Sequence, residues 1–463
     1  MVEVKMLIRF TVKNFLSFNK EQEFSMISGK VRSKMHHIMK DRKLSLLKFA
    51  AIYGANASGK SNLVWAMDFA RTTIVHEIPI DKMNEYCRTD SKNKNAPSSF
   101  EFEIKLANKA YAYGFDIVVS ESSIHNEWLY ELNQNGTQRE IFVRDTQNKK
   151  VSFDKDFSKE TRQILDTYAN NMISNDSVLF LTEMNRNKGD LYKKEKELTP
   201  LNEIYQWFKY QLVINYPEQP MSPAYFMEDG NLTEINAAMS SLGLGVRQVR
   251  IAKGNMDELQ KFLPSTLLKE VLEDLKKTIL ANKKLGEEIK GVMLRGKREM
   301  FLLNVDPDTQ EIKVQKIVFD HQKEGISFDV SEESDGTRRV LDLIELLISA
   351  KIGSKKVYVI DEINRSLHPQ VTYRLIAKYL ELAKDTEIQL IVTTHESHLM
   401  DFNLLRRDEI WFINKNKDGE SSLYSLDQYN ERFDKKISRA YLDGRYGGVP
   451  LFDKYFDMKL EDE

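Results

Sequence analysis

Gly54-Ala55-Asn56-Ala57-Ser58-Gly59-Lys60-Ser61 fits the pattern G-x-x-x-x-G-K-[ST] without mismatch. The apolar run 49–53 ahead of it reads as a buried strand, and a helix begins around Gly59 and extends to about 75. In that setting the two glycines let the backbone wrap closely, so that main-chain N–H groups and the helix start face an anion. Lys60 is then placed to bond the β- and γ-phosphate oxygens of ATP, and the Ser61 hydroxyl to bind Mg2+. Gly54, Ala55, Asn56, Ala57, Ser58, Gly59, Lys60, Ser61 and Asn62 form the expected ATP-binding set. A chance glycine turn before a helix would rarely combine strand, loop and helix in this order.

Three later segments extend the case. Lys356-Val357-Tyr358-Val359-Ile360-Asp361-Glu362 is an apolar strand ending in two carboxylates. In a parallel sheet it is expected beside the phosphate-loop strand, with Asp361 near the metal and Glu362 near the attacking water. A second apolar run, 387–394, delivers His395 at the carboxyl edge of the sheet, where functional groups of open α/β sheets gather. An imidazole there can sense the γ-phosphate or orient the water. Ser331-Glu332-Glu333-Ser334-Asp335-Gly336-Thr337-Arg338-Arg339 precedes a helix expected over 340–350. Ser334, Gly336 and the amides after them make an anion-binding helix start, although the local sequence fits an ordinary N-capped helix equally.

Around these motifs the chain alternates in character. Residues 98–150 read as antiparallel strands, with Phe100, Phe102 and Ile104, then Tyr111, Tyr113 and Phe115, on alternate positions. An Asn135-Gly136 pair marks a hairpin. From 156 to 300 the pattern is mainly helical, with an apolar stripe at Leu268, Leu272, Leu275 and Ile279 on a helix over 264–288. That stripe is expected to pack on the domain or on a partner helix, and the helix is too short for a long coiled-coil arm. The expected organisation is an amino-terminal ATPase lobe over 1–155, a helical insertion over 156–300 and a carboxyl-terminal ATPase lobe over 301–463. The fold class is α/β, with a mixed β-sheet lobe, a parallel core sheet and the helical insertion.

Composition limits the rest. With 41% hydrophobic and 30% charged residues the 463-residue chain is globular, and a net charge of −2 gives no general affinity for nucleic acid. The single cysteine, Cys87, excludes an internal disulfide framework and fits a reducing compartment. No stretch has the length of a membrane span or the form of a signal peptide, so a cytoplasmic location is expected.

Loop, helix start, carboxylate strand and histidine, in this arrangement, resemble the ABC-type ATPases of the RecF, RecN, SMC and OLD-nuclease group. Ser334-Asp335-Gly336-Thr337 is similar to their signature loop, usually Leu-Ser-Gly-Gly-Gln, with Asp335 and Thr337 departing from the transporter form. Ser366-Leu367-His368-Pro369 resembles the Leu-His-Pro of the RecF and OLD branch, and Asn14-Phe15-Leu16-Ser17-Phe18 its opening strand. The stretch 441–450, Tyr-Leu-Asp-Gly-Arg-Tyr-Gly-Gly-Val-Pro, resembles that of the AAA-type ATPases of bacterial phage-defence operons; the PARIS type is close in size and layout. The family's glutamine loop has no clear counterpart, since Gln134 and Gln138 both fall in a hairpin.

The resemblance implies ATP and Mg2+ as cofactors and a homo-oligomer of at least two subunits. In it, Ser334, Asp335, Gly336 and Thr337 of one subunit complete the ATP site of another. It implies hydrolysis with Glu362 as base or water-orienting residue and His395 as switch. Beyond hydrolysis two roles stay open. One is an anti-phage switch that answers a phage trigger protein and controls a separate effector such as a toprim nuclease. The other is a DNA-repair or chromosome-maintenance ATPase that clamps DNA. Nuclease activity is not expected of the chain itself, since Asp306-Pro307-Asp308 reads as a hairpin turn without a third acidic partner.

Overall fold

The computed structural model describes residues 4–40, 44–133, 135–217, 219, 231–285, 291–295, 299–306, 309, 311–321, 326–429 and 437–449. Gln134, Pro307, Asp308 and Pro450 lie outside them, as does the side chain of Ile279. In chain order the structure opens with β1 (Lys5–Lys13) and β2 (Gln22–Ser25), then a short ladder of β3 (Ile38–Met39) and β4 (Leu46–Leu47). After these come β5 (Phe49–Tyr53), α1 (Lys60–Val75) and a meander of β6 (Ser98–Leu106), β7 (Lys109–Val118), β8 (Ser123–Leu132), β9 (Gln138–Asp145) and β10 (Lys150–Phe153). Helices α2 (Lys159–Met172), α3 (Phe180–Asn185), α4 (Gly189–Lys194) and α5 (Thr199–Gln206) lead to β11 (Leu212–Asn215). The middle of the chain forms α6 (Asn231–Ser241), β12 (Gln248–Lys253), α7 (Met256–Phe262), α8 (Ser265–Leu285), β13 (Gly291–Arg295), β14 (Met300–Val305), β15 (Ile312–Asp320) and β16 (Ser327–Asp329). The last third carries α9 (Asp335–Ile352), β17 (Val357–Ile360), α10 (Pro369–Leu382), β18 (Gln389–Thr394), β19 (Ile410–Lys415), β20 (Ser421–Ser425) and α11 (Ile437–Leu442).

Two compact units result: Met1–Pro217 with Gly353–Ile363 and Leu380–Glu463, and Glu218–Ile352 with Asn364–Tyr379. In the first, an antiparallel sheet runs β10-β9-β8-β7-β6-β1-β2. Its aromatic alternation becomes cross-strand pairing, Phe100 opposite Phe115 and Phe102 opposite Tyr113. The core sheet of the same unit runs β11-β17-β18-β5-β19-β20, parallel except at β20. All five residues of β5, all four of β17 and all six of β18 are buried, as strands covered on both faces must be. Gln389 joins the two sheets: its Oε1 accepts from Leu7 N at 2.7 Å and its Nε2 donates to Leu7 O and Leu47 O at 3.0 Å.

These units depart from the lobes expected at 1–155, 156–300 and 301–463. Residues 156–217 belong with the amino-terminal sheet, because a buried carboxylate binds the start of α3 to it. Glu127 on β8 accepts from Phe180 N at 2.6 Å, Leu181 N at 2.9 Å and the Tyr113 hydroxyl at 2.9 Å. Burial raises the Glu127 carboxyl above its ordinary pKa; Arg144, 3.7 Å away, and the amide donors act against that. The stretch 156–300 is also less helical than its composition suggests. It contains β11, an edge strand of the core sheet, and β12, which pairs with β15. In the second unit, Leu268 and Leu275 of α8 pack with Phe301 and Leu303 of β14, with Leu272 against the same cluster, so the apolar stripe is ordinary core.

Lys48, immediately before β5, is 3% exposed and donates from Nζ to Ala383 O at 2.9 Å and Lys384 O at 2.7 Å, just past α10. Burial lowers its pKa from 10.5 to about 8, against the opposing pull of Asp385 and Glu387. Between those values the unfolded chain binds a proton that the folded chain does not, so this residue makes stability rise with pH from about 8 to 10.5. The gain is at most about 3 kcal/mol. Lys48→Met should flatten that part of the profile; parallel urea-unfolding midpoints for both proteins across the window would refute the assignment.

Candidate active site

The phosphate-loop glycines are required by space. A Cβ at Gly54 would lie 2.5 Å from Ile413 O. One at Gly59 would lie 2.8 Å from Ser17 Oγ, at a φ of +111°. Ala57 also sits in the left-handed region, at φ 62°. Ser58 N donates to Ala55 O at 3.1 Å and Leu63 N to Gly59 O at 3.2 Å, which closes the loop and starts α1. No side chain caps the first turn of α1, so the amides of Lys60, Ser61 and Asn62 remain directed out of the helix end.

Residues far away in sequence hold this loop. Asn62 Nδ2 donates to Ser17 Oγ at 2.7 Å, Ser17 Oγ lies 2.7 Å from Ser421 Oγ, and Ser421 Oγ donates to Ser58 O at 2.6 Å. Ser17 comes from the Asn-Phe-Leu-Ser-Phe turn, whose opening was legible as a motif. Ser421, at the start of β20, carried no signal in the sequence. Beside the chain of hydroxyls lies an open polar cavity of about 640 Å³, lined by Ser17, Asn62, Tyr86, Arg88, Thr89 and Lys415 among others.

Lys60 is 7% exposed, and its Nζ donates to Gly54 O at 2.7 Å and Ala55 O at 2.9 Å. Burial lowers its pKa, and the charges of Glu362 and Asp361 act against that. The carboxylate strand is not next to the loop strand, as the apolar pattern led us to expect: β18 lies between β17 and β5. Three uninterrupted apolar runs have no period that distinguishes one neighbour from another, so strand order is invisible to such a reading.

That intervening strand supplies a residue which the sequence did not mark. Thr393 Oγ1 donates to Asp361 Oδ1 at 2.5 Å and accepts from Glu362 N at 2.8 Å, and Thr393 O accepts from Ile363 N at 3.2 Å. The turn after β17 is thereby fixed to β18, with Asp361 4% exposed and Glu362 half-buried. Glu362 has φ 48°, a conformation that costs a non-glycine residue on the order of 1 kcal/mol and persists only where its surroundings impose it. His395 stands exposed just past β18, on the same carboxyl edge as Gly54 and Asp361. Among the described residues no three histidine, cysteine or acidic side chains form a metal cage. Ser61 and Asp361 remain the side chains expected to hold Mg2+, an ion that takes most of its oxygens from phosphate and water.

Ser334, Asp335, Gly336 and Thr337 lie in the second unit. The helix starts at Asp335, earlier than the expected 340, because Ser334 caps it. Ser334 Oγ accepts from Thr337 N at 3.1 Å and lies 2.9 Å from Thr337 Oγ1. Ser334 and Asp335 are exposed and Thr337 is buried against the cap. A Cβ at Gly336 would meet Ser366 O at 3.0 Å, which accounts for the glycine. His368 caps α10, with its carbonyl accepting from Val371 N at 2.8 Å and its Nδ1 from Gln370 N at 3.2 Å.

The strand–loop–helix, the carboxylate strand two places away and the histidine strand between them form a P-loop nucleotide-binding core. Among solved structures, the chain is similar to an Smc head bound to the C-winged helix domain of ScpA (16% identity, 91% of this chain and 99% of that one, TM-score 0.38). It is also similar to the SMC head domain from Thermotoga maritima (14%, 90% and 98%, TM-score 0.30). A third is an Smc head with an extended coiled coil, bound to the C-terminal domain of ScpA derived from Pyrococcus furiosus (15%, 92% and 97%, TM-score 0.34). Scores this low transfer neither detailed arrangement nor function. No curated protein matches the chain. A family profile described as "AAA domain, putative AbiEii toxin, Type IV TA system" matches residues 49–210 and 255–401, which include the phosphate loop, Ser334 to Thr337, both carboxylates and His395. The match spans well over half of the sequence, and the chain belongs to this AAA-domain family.

Proposed function

We propose that the protein hydrolyses ATP and uses the cycle to switch the state of a defence complex. The observation that carries this reading is the placement of Lys60, Asp361 and Glu362 at one sheet edge, with Thr393 holding the Asp361 carboxylate and the backbone N–H of Glu362. In the proposed cycle Lys60 exchanges the carbonyls of Gly54 and Ala55 for β- and γ-phosphate oxygens, and the amides at the start of α1 take the remaining phosphate charge. Ser61 and Asp361 would hold Mg2+, which would supply positive charge to the transferred phosphoryl group. Glu362 orients and deprotonates the attacking water, and His395 reports the γ-phosphate to the rest of the subunit. The open cavity beside Ser17 and Asn62 gives room for the nucleoside.

Two copies meet head to tail in this proposal, so that the exposed Ser334 and Asp335, with Gly336 and Thr337, close the partner's site. The family description links this AAA domain to a type IV toxin–antitoxin system, which supports a role in a system that includes a toxic activity. We place the toxic step on a separate protein, such as a toprim nuclease, released when a phage protein triggers the switch. No helix among the described residues is long and apolar enough to cross a membrane, and the one cysteine, Cys87, is buried and free; cytoplasmic work is consistent with both.

The composite site has its own test. Ser334→Arg puts a bulky cation where the facing nucleotide would sit, and should block ATP-dependent association while the monomer stays folded. Mixed with Lys60→Ala, it should recover part of the phosphate-release rate, because one of the two sites in a mixed dimer lacks both lesions. Absence of recovery at every ratio, with mixed dimers confirmed by mass, would refute the head-to-tail arrangement.

A further inference from the structure

The glycine-rich stretch 441–449 has no part in the chemistry described so far, yet it packs on the first residue of the phosphate loop. Gly448 is buried with φ +68°, and a Cβ there would lie 3.4 Å from both Gly54 Cα and Ile413 O. Its position is fixed on both sides of the peptide: Tyr441 OH donates to Gly448 O at 2.9 Å, and Gly448 N donates to Asn414 Oδ1 at 3.4 Å. The rings of Tyr441 and Tyr446 both stack on Phe412, with centroids 5.7 and 5.5 Å away and interplanar angles of 19° and 17°. Phe412 is the register partner of Tyr53, the last residue before Gly54. Tyr441 also meets Tyr53 edge-on at 6.1 Å. The hydroxyl of Tyr53 is buried without a hydrogen-bond partner in the described structure, so Tyr53 is held by packing. Gly54 O, in turn, accepts from Lys60 Nζ at 2.7 Å. A single run of contacts thus leads from Tyr441 and Gly448 through Tyr53 and Gly54 to the ammonium of Lys60.

The geometry points to residues 441–449 as a strap that positions the phosphate loop, with Tyr441 and Gly448 as positioning residues for nucleotide binding. This rests on the nucleotide-site reading above. Gly448 is the contact: it lies on Gly54 with room for little more than a Cβ, and glycine is suited to its positive φ. Tyr441 is the lock, and its hydroxyl holds that carbonyl in place. A loop backbone that drifts by a fraction of an ångström loses aligned amides and a placed lysine together, and such misplacement is amplified in affinity.

The test uses the full chain and a fluorescent ATP analogue with Mg2+, with Lys60→Ala as the reference for a lost loop. Tyr441→Phe keeps both ring stacks and removes only the bond to Gly448 O. It should raise Kd and KM severalfold, change kcat little and leave the nucleotide-free unfolding midpoint within about a degree. Gly448→Val adds a branched side chain at a positive φ against Gly54, and should raise Kd by about tenfold to a hundredfold. Wild-type affinity in both variants, or a weakening that disappears once corrected for folded fraction, would overturn the strap. If Gly448→Val does not fold, Tyr441→Phe decides by the same criteria. Equal binding by the unmodified chain and Lys60→Ala would instead refute the nucleotide site, and the strap with it.

Discussion

Lys60→Ala should reduce ATP affinity by roughly a hundredfold or more while leaving the fold intact. The ammonium would make two charge-assisted bonds to phosphate oxygens, each worth about 1.5–3 kcal/mol, and no other cation lies inside the loop to replace it. The cost to folding should be small, because removing the side chain also removes the penalty of burying its charge, the larger influence on its pKa. Ala55 is half-exposed, so water can replace the lost donor there, whereas the buried Gly54 O loses its donor and accounts for what cost remains. Titration calorimetry with ATP and Mg2+ measures the effect directly. Affinity within threefold of the unmodified chain would detach the phosphate loop from nucleotide binding.

Glu362→Gln should bind ATP as the unmodified chain does and turn it over about 10²–10⁴-fold more slowly. Glutamine preserves the shape of the side chain and so adds nothing to the backbone strain at φ 48°. It leaves untouched the bond from its own amide to Thr393 Oγ1 and the bond from Thr393 to Asp361. What it removes is the basic oxygen. The variant should therefore accumulate in the ATP-closed assembly, which size-exclusion chromatography with light scattering would detect. Unchanged phosphate release would identify another group as the base. The same substitution at the native locus tests the defence role: plaque counts equal to those of the intact locus would separate hydrolysis from phage defence.

Much of the candidate site was legible in the sequence. The positions of the loop, Asp361, Glu362 and His395 at one sheet edge follow from local patterns, because a phosphate loop is a contiguous strand, turn and helix and each of the two later segments is an apolar run that ends at that edge. The bland interpretation of the α8 stripe also held, since helical spacing records one buried face whatever covers it. Gln389 shows the converse: a polar residue at the start of an apolar run looks like a strand boundary, yet it is fully buried and joins two sheets through three backbone bonds.

The sequence by itself therefore determined which residue types stand at the carboxyl edge of the core sheet, as short spacings after apolar runs, and the class of sheet that carries them. Only the tertiary structure decided which strand lies between Asp361 and the loop, that Thr393 fixes the carboxylate turn, and that Ser17, Ser421 and Gly448 support the loop. It also decided that residues 156–217 belong with the amino-terminal sheet, through the bonds of Glu127. The physical reason is range. Propensity, capping and apolar period act over a few residues, whereas strand order and the partners of a buried polar group depend on contacts such as Ser421 to Ser17, 404 residues apart, which leave no local trace.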